Sequence, residues 1–274
     1  MAVDTAWPWI RSEGIMPYII GRSDPERQFL NDRAMALAYT EKNALKSEGI
    51  SSFTGEHKFF RWIKTELSYP SFDDFTFGYK NQIFSVMVLR ATEKGILINP
   101  RPRIEALRRE CSSNNLIPCV FPVHCITGKP FFPGTWNLVD PFAKKAVDPA
   151  AMSSDDDIEM SDWELRNWAV QVVYEHLKRE GLERLSFSDA PGIDPQIWFR
   201  DSDGKECWLE VLYARYPDDA ENMSFSCSGW PCEVLCHNGY IARVGFAGAE
   251  DMSRLFRTKG AYVKFRGIEI FHRA

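Results

Sequence analysis

The sequence lacks the segments that would place it in a membrane or carry it across one. No stretch approaches the roughly 20 consecutive apolar residues of a transmembrane helix. The first residues, MAVDTAWPWIRSEG, contain no basic segment followed by a long apolar run, as a signal peptide would. We therefore expect a cytoplasmic protein that makes no contact with a membrane.

An excess of positive charge is absent as well. The chain has 33 Lys and Arg against 38 Asp and Glu, and its formal net charge is -5. Broad, nonspecific binding to nucleic acid needs a basic surface that faces the phosphates, and this balance argues against one. A small basic cleft is still compatible with it, and the basic residues of 101–109 and 254–259 are the candidates.

The motifs of several enzyme classes are also missing. No GxGxxG occurs, and GAEDMSRLFRTKG lacks the Gly-Lys-Ser/Thr ending of a phosphate-binding P-loop. The stretch FSCSGW is not the Gly-x-Ser-x-Gly elbow of a serine hydrolase. The sequence therefore predicts neither a nucleotide-binding loop nor a serine nucleophile.

Cysteines are few and do not form a recognisable framework. Seven cysteines, an odd number, do not indicate the paired disulfides of a small secreted domain. Two groups combine cysteine with histidine: Cys119, His124 and Cys125, and Cys232, Cys236 and His237. A structural zinc ion needs four such ligands at familiar spacings, which neither group supplies. We expect reduced thiols among apolar neighbours, with zinc as the alternative.

The chain is predicted to form two α/β domains. An acidic, apolar-poor stretch at residues 148–160 separates a domain of unknown fold at 1–152 from a second domain at 160–274. In the first domain, Ser23 and Glu26 form a capping box that predicts a helix. The stretch NQIFSVMVLRA predicts a buried strand, and RPRIEALRRECSSNN predicts a basic helix after it. No internal repeat is detected in the sequence.

The second domain changes from helical to strand periodicity. Ser161 and Glu164 form another capping box, which predicts a helix that ends at Gly181. LERLSFSDA, PQIWFRD and KECWLEVLYAR follow as strands, with the turn of a hairpin at residues 202–204. A short helix and two further strands, YIARVGFAG and AYVKFRGIEIF, complete a mixed sheet.

The stretch GIDPQIWFRDSDGKECWLEVLYAR, with an acid before one strand and another acid within the next, resembles the PD-(D/E)XK nuclease superfamily. The resemblance implies a restriction-endonuclease-like core of helix, three strands, helix and strand that uses a magnesium-type metal to cut phosphodiesters. It implies Asp194, Gln196 and Glu210 as catalytic residues, with Asp194 and Glu210 as the metal ligands. Leu212 occupies the position of the family's lysine.

Three functions follow from this pattern. In the leading one the catalytic set is incomplete, and the nuclease-like domain is a scaffold that binds nucleic acid or another protein. In the second, an active magnesium-dependent nuclease, Lys205 or Arg200 replaces the missing lysine. In the third, the aromatic segment KPFFPGTWNLVDPF is an exposed patch of a protein-interaction module unrelated to nucleic acid. The sequence leaves the oligomeric state open.

Overall fold

The computed structural model describes residues 25–50, 57–66, 72–92, 95–96, 101–132, 134–190 and 192–272. These residues form two compact units, which divide between Asp156 and Asp157. We call them the N-terminal unit and the C-terminal unit. Ser23, the predicted cap of the first helix, lies outside the described residues.

The N-terminal unit is built on a mixed, seven-stranded sheet. Its elements are α1 (Pro25–Ser47), β1 (Phe60–Lys64), β2 (Phe75–Tyr79), β3 (Gln82–Thr92), β4 (Gly95–Ile96), α2 (Arg101–Asn114), β5 (Ile117–His124), β6 (Leu138–Val139), β7 (Ala146–Val147) and α3 (Pro149–Met152). The sheet order is β1-β2-β3-β5-β6-β7, and β4 pairs with β3. Strands β3 and β5 are parallel because helix α2 carries the chain back between them, and the other pairs are antiparallel.

Aromatic side chains fill the core of the N-terminal unit. Phe77 stacks on Phe84 and on Trp136, with ring centroids 5.1 and 6.1 Å away. Trp136 belongs to the segment KPFFPGTWNLVDPF and is 7% exposed, while Leu138 of the same segment is 2% exposed. The segment therefore packs into the core and does not present these side chains as an exposed apolar patch.

The C-terminal unit is built on a mixed, five-stranded sheet. Its elements are α4 (Asp162–Arg179), β8 (Glu183–Phe187), β9 (Ile197–Arg200), β10 (Glu206–Arg215), a 3-10 helix (Ala220–Asn222), α5 (Cys232–Leu235), β11 (Asn238–Gly248) and β12 (Ala261–Ile270). The sheet order is β12-β11-β10-β9-β8. Only the β10–β11 pair is parallel. The predicted mixed α/β class is thus confirmed.

Two local predictions for the C-terminal unit are also confirmed. Ser161 and Glu164 form the predicted capping box at the start of α4. Strands β9 and β10 form the predicted hairpin, in which Trp198 lies opposite Trp208. Because side chains alternate across a strand, the residues on either side of Glu210 point into the core below α4, and Glu210 points to the other face of the sheet.

The two units share one plan, although the sequence shows no repeat. Each begins with a long helix, continues with three antiparallel strands, crosses over to a strand parallel to the third, and adds an antiparallel strand beside that one. The crossover contains the 14-residue helix α2 in the N-terminal unit, whereas in the C-terminal unit it contains a three-residue 3-10 helix and the four-residue helix α5. The directions of the first four strand pairings are the same.

The first helix of each unit packs one apolar face against the sheet of that unit. Ala36 and Ala44 of α1, and Val170 and Val173 of α4, are fully buried. Other positions of the helices carry charged residues, such as Lys42 of α1 and Glu175 of α4, as amphipathic surface helices do. Within the described part of the chain, no helix is both long and apolar enough to cross a bilayer.

Candidate functional site

The three site residues predicted from the sequence meet in the C-terminal unit. Gln196 stands just before β9, and Glu210 lies in the middle of β10. The side-chain amide of Gln196 donates hydrogen bonds from Nε2 to Asp194 Oδ1 and to Glu210 Oε1, both at 2.8 Å. Gln196 therefore links the two carboxylates.

The orientation of the Gln196 amide is determined by the backbone of β10. Its Oε1 atom accepts a hydrogen bond from the N–H of Val211 at 2.6 Å. A flipped amide would turn its NH₂ group toward that N–H, setting donor against donor. The amide hydrogens, and not the amide oxygen, therefore lie between the two acids.

A cation from α4 completes the cluster. Arg166 donates from Nη2 to Asp194 Oδ1 at 3.0 Å and to the carbonyl of Ile193 at 2.8 Å. Arg166 is not among the predicted site residues, because the candidate cations, Arg200 and Lys205, come from the hairpin and not from the helix. The available signal was helical spacing, since Arg166 precedes the buried Val170 by four residues and so shares its side of the helix.

Glu210 is buried and only partly satisfied. The residue is 6% exposed, and its Oε2 atom accepts no hydrogen bond from the described residues. Burial raises the pKa of Glu210 to about 7. The bond from Gln196 and the charge of Arg166 lower this pKa, while the charge of Asp194 raises it. Glu210 thus changes charge near neutral pH.

The cations proposed to replace the missing lysine are engaged elsewhere. Arg200 pairs with Glu183 and Glu206 at the far end of the hairpin. Lys205 lies in the turn and pairs with Asp203. The expectation that Arg200 or Lys205 stands beside Glu210 is therefore not met, because both side chains are held by neighbouring acids about 13 Å or more along the strands.

A surface cavity of about 190 Å³ lies beside the cluster. Its lining comprises Ser186, Phe187, Ser188, Ile193, Asp194, Pro195, Gln196, Trp198 and Val234. The Trp198 ring is held edge-on against the ring of His237, with centroids 5.3 Å apart. The cavity therefore combines a carboxylate, hydroxyl groups and an indole ring.

The cysteine and histidine groups do not form a metal site in the described residues, where no three His, Cys, Asp or Glu side chains are grouped to hold an ion. Cys119 and Cys125 are buried, and burial raises the pKa of Cys119 well above its ordinary value. Cys232 and Cys236 are exposed. The four side chains thus lie in very different environments.

Acids accompany several side chains of the two basic clusters. Arg103 pairs with Asp74 at 2.8 Å. Arg257 is fully buried and pairs with Glu164 at 2.8 Å. Because such cations are already matched, these contacts supply little of the free positive charge that phosphate binding requires.

The N-terminal unit has a counterpart of the Gln196 position. Asp74 stands just before β2, and the strand register, continued by one residue, places it opposite Met87. Its Oδ2 atom accepts a hydrogen bond from the N–H of Val88 at 2.7 Å, as Gln196 does from Val211. In both units a side-chain oxygen thus accepts from the same position of the third strand. We call Asp74 and Gln196 the strand latches.

The N-terminal unit also contains a buried ion pair next to its latch. The ammonium group of Lys64 contacts Asp73, and these side chains are 1% and 0% exposed. Burial opposes ionisation of Asp73, but Lys64 and the hydroxyls of Thr76 and Ser85 outweigh it and lower its pKa. This acid is fully matched, unlike Glu210.

Comparison with known proteins assigns no activity to this arrangement. Residues 163–271 match a family described as Domain of unknown function (DUF8840). No curated protein and no solved structure matches the chain.

Proposed function

We propose that the C-terminal unit is a restriction-endonuclease-like module without catalytic activity, which serves in binding. The supporting observation is the Gln196 amide, whose hydrogens lie between Asp194 and Glu210. The order of helix, three strands, crossover and parallel strand supports the fold assignment. Nuclease chemistry in this superfamily would need a metal ion where the amide stands.

The residues present do not fit magnesium. Mg²⁺ demands oxygen ligands in octahedral geometry at about 2.1 Å. Here the oxygen of Gln196 is turned toward the N–H of Val211 and not toward the acids, and the N–H groups of Gln196 point at the carboxylate oxygens that would bind the ion. Arg166 adds a positive charge beside Asp194. Each of these features opposes a divalent cation.

The charge that a nuclease uses to stabilise its transition state is also missing. Leu212, on the same strand face as Glu210, is apolar and half-buried. Arg200 and Lys205 are paired with other acids. Without a metal and without this cation, an attacked phosphodiester would lack the two positive charges that offset its developing negative charge in this superfamily's chemistry.

Calorimetry and cleavage assays on the full chain test the proposal. We expect no binding heat with Mg²⁺ or Mn²⁺, and no products from single- or double-stranded DNA or RNA. Metal binding that disappears in Glu210→Ala, together with cleavage, would instead establish an active nuclease.

A double variant, Gln196→Asp with Leu212→Lys, serves as the positive control. An aspartate is able to act as a strand latch, as Asp74 does in the N-terminal unit. The substitution of Gln196 by aspartate also removes the amide hydrogens from between the acids. We therefore expect the variant to bind Mn²⁺ where the natural sequence does not.

A further inference from the structure

The comparison of the two units identifies Glu210 as a residue that the fold does not need. Met87 occupies the matching position of the N-terminal unit and is fully buried. An apolar side chain therefore satisfies the packing at this position. A carboxylate here lowers stability, because it is buried and one of its oxygens has no partner among the described residues. Glu210 is thus better explained by the negative charge that it places beside the cavity, which is lined by its hydrogen-bond partner Gln196.

We propose that the cavity beside Asp194 and Glu210 binds a primary alkylammonium group, as carried by a lysine side chain or by a free alkylamine. This inference rests on the proposed function, in which the site binds a ligand and performs no chemistry. A lysine residue and a free amine share the chemistry that the cavity recognises.

The lining of the cavity matches an ammonium group. Asp194 has a side chain that is 37% exposed, and its Oδ2 atom accepts no hydrogen bond from the described residues, whereas Oδ1 is engaged. Ser186, which is exposed, offers a hydroxyl oxygen, and Trp198 offers an indole ring. Carboxylate, hydroxyl and aromatic groups together recognise organic cations.

The charges around the cavity favour a cation over a phosphate. Asp194 and Glu210 supply two negative charges when ionised, and Arg166 supplies one positive charge. Among the described residues that line the cavity there is no Lys, Arg or His. The cluster therefore has a net negative charge above the pKa of Glu210, which attracts an ammonium group and repels a phosphate.

The size of the cavity limits the ligand. Sites for drug-sized molecules usually measure about 300–1,000 Å³, and this cavity measures about 190 Å³. It has room for a single unbranched chain with a charged end. The alkyl stem has apolar neighbours in Ile193, Pro195 and Val234.

NMR of the indole N–H groups in the full chain tests this proposal. The probes are N-acetyl-lysine methylamide and n-butylamine, with N-acetyl-norleucine methylamide and n-butanol as neutral counterparts. The cross-peak of Trp198 is assigned from Trp198→Phe. At pH 8 we expect both amines, and neither neutral probe, to shift this cross-peak saturably.

Matched variants identify the carboxylate that makes the contact. Asp194→Asn is expected to weaken binding of both amines at least fivefold. Asp203→Asn, which removes an exposed acid from the hairpin turn, is expected to leave binding unchanged. A fivefold or larger preference for the lysine derivative over butylamine assigns the site to a protein side chain, and the reverse preference assigns it to a free amine.

The pH dependence of binding reports on Glu210. The groups that face it are Gln196, Asp194 and Arg166, and its neighbour across β11 is the apolar Ile241. Protonation of Glu210 removes one negative charge, so affinity is expected to fall up to about tenfold between pH 8 and pH 6. In Glu210→Gln this dependence should disappear.

Three outcomes would overturn the alkylammonium assignment: no shift with either amine, equal shifts with the neutral probes, or saturable binding of inorganic phosphate at Trp198. None of them depends on the metal and cleavage assays. A module that neither cuts nucleic acid nor binds amines would leave the proposed function standing, whereas cleavage would refute that function by itself.

Discussion

The two units solve the same folding problem and differ in what they add to it. Each needs an acceptor for a buried N–H of its third strand, and Asp74 and Gln196 supply it. The N-terminal unit pairs its buried acid Asp73 with Lys64. The C-terminal unit leaves an oxygen of Glu210 without a partner among the described residues. What the units share serves the fold, and what only one of them has is available for function.

Both units have an arginine on their first helix that binds the backbone before the second strand. Arg33 of α1 donates from Nε to the carbonyl of Asp74 at 2.8 Å. Arg166 of α4 donates to the carbonyl of Ile193 at 2.8 Å. Each arginine ties its helix to the chain just before the second strand. Arg166 therefore has a structural role in addition to its contact with Asp194.

The largest expected effect comes from breaking the matched pair of the N-terminal unit. In Asp73→Ala, the buried ammonium group of Lys64 loses the carboxylate that it contacts, and we expect a loss of about 3–5 kcal/mol of stability. Hydrogen exchange measured by mass spectrometry localises the loss to the strands around β2. Asp203→Ala, which breaks an exposed pair, is the control and should change stability by less than about 0.5 kcal/mol. Equal losses of stability in the two variants would show that the buried Lys64–Asp73 pair contributes no more than an exposed pair.

The strand latches should have the next largest effect, and a similar one in both units. Asp74→Ala and Gln196→Ala each remove the acceptor of a buried backbone N–H, which costs about 1–3 kcal/mol. Asp74→Ala should lie at the upper end, because it also leaves Arg103 without its partner. Exchange rates of the Val88 and Val211 amides are the measurement. If the exchange rate of either amide is unchanged, the substituted side chain does not act as a latch in that unit.

Removal of the Glu210 carboxylate is expected to raise the stability of the fold, and only at neutral and alkaline pH. The folded-state pKa of Glu210 is raised to about 7, so protonation favours the folded state. Stability contributed in this way is present below the unfolded pKa, near 4.3, and is lost as pH rises through 7. Glu210→Gln should therefore be more stable than the natural sequence by roughly a few kcal/mol at pH 8 and by almost nothing at pH 4. Urea unfolding at the two pH values is the measurement, and a pH-independent difference would exclude a buried, titrating acid.

The smallest effect is expected at the exposed end of the hairpin. Arg200 pairs with Glu183 and Glu206, and its side chain is 38% exposed. Arg200→Ala should have little effect on stability, since solvent screens such pairs. It should also leave the Trp198 shift produced by the amines unchanged. A loss of amine binding in this variant would show that the hairpin's outer charges take part in the site.

Much of the C-terminal unit follows from local sequence patterns. The capping box of Ser161 and Glu164, the alternation around Glu210 and the turn near Gly204 depend on neighbours in the chain. The meeting of Asp194, Gln196 and Glu210 followed from one hairpin and its register. Arg166 required knowledge of how α4 lies on the sheet, which no single-strand pattern contains.

The shared plan of the two units stayed hidden for a related reason. Equivalent positions hold Asp74 and Gln196, or Met87 and Glu210, which differ in charge and polarity. A fold requires only an acceptor at the first position and a buried side chain at the second, so unlike residues satisfy the same constraint. The residue identities therefore do not show the structural similarity of the two units, whereas the strand order and the hydrogen bonds do.

The sequence by itself determined where helices and strands form and which faces are apolar, because these depend on residue preferences and on spacing along the chain. Only the tertiary structure decided the chemistry between Asp194 and Glu210. An amide has two different ends, and the N–H of Val211, brought near by strand pairing, determines which end of Gln196 faces the acids.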